Sequence, residues 1–140
     1  MDTHRIHAYA EMFDKMHGIL EQARSESAWW PPARCRGILA DLGTAMFKVN
    51  HRLEAEQIPY TVWDVNFGAL IHSFWQSLYR QSRDDGALAL NVQVWRARFF
   101  VEALTPLLHA AQTMEHLNDV MDQLEGSAEA DDPNPCGFDG

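Results

Sequence analysis

The sequence predicts an all-α protein, an antiparallel bundle of four to five helices. Three observations carry this reading. Apolar residues recur every three or four positions along most of the chain. Alternation of apolar and polar residues, the mark of a half-buried strand, is almost absent. Proline- and glycine-containing breaks divide the periodic stretches into helix-length pieces joined by short connections.

The first helix is read from about Thr3 to Ser25. Ile6, Tyr9, Phe13, Met16, Leu20 and Ala23 follow a 3, 4, 3, 4, 3 spacing, which draws one seam down one side. Asp2 or Thr3 can cap its first N–H groups. Trp29-Trp30-Pro31-Pro32 then opens the second helix, since proline fits the first turn, where its missing N–H costs no bond. Cys35, Leu39, Leu42, Met46, Val49 and Leu53 form its seam, and Ile58-Pro59 stops it. These two seams are expected to pair at a shallow angle.

Thr61 opens the third helix, with Asp64 as a variant capping box. It carries Val62, Trp63, Val65, Phe67, Leu70, Ile71, Phe74, Trp75, Leu78 and Tyr79, which cover nearly its whole circumference. A helix apolar all round belongs at the centre of a domain or at an interface between copies. After the Asp84-Asp85-Gly86 turn, a last helical stretch runs from Ala87 to Glu125. Pro106 inside it predicts a kink or break near Glu102–Thr105, and Gly126 is the expected cap. The domain is therefore read as residues 1–126, and residues 127–140, with two prolines and four acids, as a flexible acidic tail.

The 140 residues are 46% hydrophobic and 22% charged, ordinary globular usage. That excludes a disordered polyelectrolyte and a disulfide-dense scaffold. No apolar run approaches the roughly 20 residues of a membrane span, and no secretory leader is read, so a cytoplasmic protein without membrane attachment is expected.

Charge is unevenly placed. All 11 Lys and Arg residues lie in residues 1–98, where 11 acids balance them, so the net −9 falls in residues 99–140. A stretch without cations cannot neutralise phosphates, which argues against direct nucleic-acid binding. It suits a basic protein partner, such as a protein that handles nucleic acid. The acids read as its docking surface are Glu102, Glu115, Asp119, Asp122 and Glu125. Trp29 and Trp30 join them, because tryptophans in a loop are either binding anchors or a lid over the end of the bundle.

Assembled chemistry is not legible. There is no Gly-x-Ser-x-Gly, no phosphate-binding glycine loop and no Cys-x-x-Cys, so no catalytic residue and no cofactor is expected. Seven histidines invite a metal reading, with Asp14/His17, His51/Glu54, His116/Asp119 and His4/His7 as local pairs. Bundle ligands must project inward, and the seams turn His51, His109 and His116 outward. Only His17 flanks a seam, and no metal site is expected. Cys35 lies between Arg34 and Arg36 in a helical first turn, which can lower a thiol pKa, but its seam position makes it a small packed hydrophobe.

Taken together, the residues describe a regulatory or inhibitory interaction module of the immunity type. A helical His/carboxylate metalloprotein or enzyme using His17 and His51 is the alternative. A homodimer through helix 61–81 or 87–125 is a further expectation, since the third helix has more apolar surface than one core face can hide.

Overall fold

A computed structural model describes residues 5–58, 62–81 and 86–131. Four helices follow in order: α1 (Arg5–Glu26), α2 (Pro32–Ala55), α3 (Val62–Gln81) and α4 (Ala87–Asp131). No strand occurs among the described residues. The caps read at Asp2 or Thr3 and at Thr61, the core place of Trp63, the Asp84-Asp85 turn and residues 132–140 lie outside the described residues.

The predicted seam of α1 is buried in full: Ile6, Tyr9, Phe13, Met16, Leu20 and Ala23 all lie in the core. Ala8, Ala10 and Met12 are buried as well, so α1 is covered on two sides and forms the axis of the bundle. On α2, Cys35, Leu39, Leu42, Met46 and Leu53 are buried, and Val49 packs half-buried at the edge. α4 adds Leu90, Val94, Ala97, Val101, Leu104, Leu108 and Ala111, again spaced 4, 3, 4, 3, 4, 3. The start of α4 lies at the end of α1 and Phe100 lies against Phe13, so these two helices run antiparallel.

The α1–α2 loop is fixed from within. Asn91 is wholly buried; its Oδ1 accepts from the Trp30 backbone N–H at 2.8 Å, and its Nδ2 donates to the carbonyls of Trp30 and Ala87, each at 2.8 Å. Each polar group of this buried side chain thus has a partner, as a buried amide requires. The Trp30 indole N–H donates to the Ala23 carbonyl at 2.9 Å. Outside, the Arg34 guanidinium grips the Glu26 carboxylate through two bonds of 2.9 and 2.8 Å. This hydrogen-bonded pairing lowers the Glu26 pKa and raises that of Arg34.

At its other end α2 closes in a Schellman motif. The Ile58 N–H reaches the Leu53 carbonyl and the Gln57 N–H reaches Glu54, with Gln57 at φ 53° in the left-handed region. Ile58 and Leu53 are both buried, which supplies the motif's apolar contact. Arg5 Nε donates to the Ile58 carbonyl at 2.9 Å and ties this turn to the start of α1.

Three expectations are corrected. The third helix is not the centre: among residues 67–77 of α3, Ile71 alone is buried. α3 lies on the outside of the α1–α2–α4 core, held by Phe74 stacking on Phe100 at 3.7 Å and by Trp75 lying on Gly43. A Cβ on Gly43 would stand 2.5 Å from the Trp75 ring, so only glycine lets the two helices meet there. Nor does Pro106 break α4, which is helical from Ala87 to Asp131. Pro106 is exposed, so the Glu102 carbonyl it leaves without a donor faces water, and Thr105 Oγ1 donates to Val101 at 2.6 Å beside it. Gly126 is no cap either, since the helix continues five residues past it and no glycine has a positive φ among the described residues.

A candidate interaction surface on the long helix

α4 carries a second stripe opposite its core seam. Leu88, Val92, Phe99, Leu107, Met114, Leu117, Met121 and Leu124 are each between 44% and 66% exposed. At 100° per residue these positions, together with Trp95, Ala103, Pro106 and Ala110, fall on one side of the helix over about 54 Å. Loose surface leucines need no explanation, but a stripe of this length does.

From residue 121 to 126 every side chain is exposed, whichever way it points. The last turns of α4 therefore project past the bundle. The core-facing side changes chemistry on the way out: Leu104, Leu108 and Ala111 are followed on the same side, at a 4, 4, 3 spacing, by Glu115, Asp119 and Asp122.

This placement sorts the residues read as a docking surface. Asp119 is half-buried, and Asp122 is exposed one turn further out. Glu115 belongs to the same stripe but is buried at the bundle's edge, 9% exposed, and is no part of an open surface. Glu102 lies between three and four turns before Glu115, on the other side, and is engaged by Arg98 at 2.8 Å. Glu125 is exposed at the flank of the outer apolar stripe. Residues 99–126 carry no Lys or Arg, so the projecting end has a negative field with no internal cation.

The two loop tryptophans part company. Trp30 is 2% exposed and is the lid, packed against Trp95 at 6.1 Å; it is not available to a partner. Trp29 is 52% exposed, on a backbone held by Ser27, whose Oγ donates to the Trp29 carbonyl and accepts from its N–H. Arg98 also lies over the Trp95 ring at 4.8 Å. Both tryptophans were read as partner-binding, and Trp30 is corrected to a buried lid; the outer stripe of α4 was missed. Its signal, a second run of apolar residues at helical spacing, was present in the sequence.

Other candidate chemistry stays dispersed. His17 is half-buried, His51 is exposed and stacks on Phe47, and His109 pairs with Asp14 at 2.8 Å. No three His, Cys, Asp or Glu side chains could hold one metal ion among the described residues. Cys35 is fully buried, and loss of solvation pushes its thiol pKa up, with Arg36 opposing weakly. Its place is packing, with Sγ 3.6 Å from the Trp30 carbonyl. A cleft of about 640 Å³ opens among α1, α2 and α3, walled by Arg5, Tyr9, Phe47, His72 and Trp75. It joins no nucleophile to a base and an orienting group among the described residues. No described helix is long and apolar enough to cross a membrane.

Comparison with protein-family models, curated proteins and solved structures finds no match to this chain.

Proposed function

We propose that this chain is a small acidic interaction module, a regulator or inhibitor of the immunity type, that docks on a basic protein surface such as that of a nucleic-acid-handling protein. The observation that carries this reading is the projecting end of α4. It is a helix uncovered on all sides at residues 121–126, bearing acids and no cation. Such an element steers toward a positive surface and orients on it. Asp119, Asp122 and Glu125 make the first electrostatic contact, and Trp29 stands as a separate aromatic anchor at the other end of the bundle. A bend at Pro106 would set the angle at which the projecting end meets its partner. A cytoplasmic setting accords with Cys35 as a buried free thiol.

The test is retention of the partner by immobilised protein across a salt series. Neutralising these three acids together, as Asp119→Asn, Asp122→Asn and Glu125→Gln, should slow association and flatten its salt dependence. Unchanged capture by that variant at low salt would refute the reading.

A further inference from the structure

The outer stripe of α4 is distinct from the acidic one and faces the other way. We propose that it is covered by a second copy of this chain, the two α4 helices lying antiparallel about a two-fold axis at Ala110.

Area is the first argument. Eight large apolar side chains, each about half open, expose on the order of 800 Å², which is one partner's share of a standard interface and exceeds an ordinary monomer's largest patch. Register is the second. An antiparallel pairing centred on Ala110 sets Phe99 against Met121 of the second copy, Ala103 against Leu117, and Pro106 against Met114. The stripe thus meets itself over its middle length, as a two-fold interface requires, and the two Ala110 residues allow close approach at the axis.

Charge is the third argument, and it sets direction. The first part of α4 carries Arg96 and Arg98, and its far part carries acids alone. A parallel pair would stack Glu125 on Glu125 and Arg96 on Arg96. In an antiparallel pair one flank faces the same flank of its mate. Arg96 and Glu125 share a flank and lie 14 and 15 residues from the axis, so they come nearly opposite each other while Arg96 also holds Ser77 at 3.2 Å. Glu115, Asp119 and Asp122 point away from this contact. The dimer therefore leaves Asp119 and Asp122 open to the acidic docking proposed above and shares only Glu125 with it.

Sedimentation equilibrium over a concentration range should show the full chain as a dimer. Leu117→Glu should raise the dimer dissociation constant roughly a hundredfold or more. Its helical circular dichroism should stay unchanged, because Leu117 is outside the core. Direction is read by oxidising a mixture of Ala103→Cys and Leu117→Cys proteins, each also carrying Cys136→Ser. The mixture should yield the mixed disulfide, and neither protein alone should cross-link. A wild-type chain that stays monomeric at about 100 μM, a Leu117→Glu protein that still dimerises, or cross-linking of each variant with itself would overturn the proposal.

Discussion

The inner and outer faces of α4 carry apolar residues at the same period, yet one is sealed and the other is half open along its whole length. Leu90, Val94, Val101 and Leu108 meet α1 and α2, while Leu88, Phe99, Leu117 and Leu124 meet nothing in their own chain that closes over them. The difference teaches that a helical repeat of apolar side chains fixes where seams run but not what fills the space beside them. Neighbours decide that, and α4 has neighbours on one side only.

Substitutions on the two faces should separate them. The largest effect is expected at Leu108, which is fully buried: Leu108→Ala should cost about 3 kcal/mol or more in urea unfolding, because the cavity cannot collapse between three helices. Asn91→Ala should follow at roughly 2 kcal/mol, since it leaves the buried Trp30 N–H without its partner and the Trp30 carbonyl with only the weak Cys35 thiol donor. On the outer face, Leu117→Ser should change the unfolding free energy of the dilute, monomeric chain by no more than about 0.5 kcal/mol. A loss there comparable to Leu108→Ala would mean that the outer stripe is covered within one chain.

A gain is expected away from both faces. Gln57→Gly should stabilise the chain by about 1 kcal/mol in the same urea experiment, because it relieves a left-handed residue in the α2 cap. The smallest effect concerns pH. Glu26 has its carboxyl pKa depressed in the folded state, so its contribution is present above the unfolded value and is lost as pH falls through the folded one. Glu26→Gln should therefore narrow the stability gap between neutral and acidic solution only slightly, since the pair is exposed.

Much of the fold was legible because α1 and α2 bury one clean seam each, and a seam such as Phe13, Met16 and Leu20 is visible in the spacing. α3 misled for the opposite reason. Its apolar residues surround the helix, which describes how greasy it is but not how many helices it touches; Leu70 is exposed and Ile71 buried. The break read at Pro106 does not occur because proline's effect depends on which way the residue faces, and an exposed ring leaves its orphan carbonyl to water. The Gln57 cap carries no sequence signal, glycine being the usual residue there. At the candidate surface, counting acids found the negative end but could not distinguish buried Glu115 from exposed Asp122. Only the point where α1 ceases to accompany α4 separates them.

The Asn91 clamp has a consequence for how the chain is made. The hydrogen bonds that hold the first interhelical connection come from a side chain 61 positions later. While the chain emerges from the ribosome, α1 and α2 can form and touch, but the Trp30 backbone has no mate until the last helix begins to appear. The hairpin must therefore wait in an unfinished state through synthesis of α3, and a nascent chain arrested before Asn91 should remain protease-sensitive between Ser27 and Pro31.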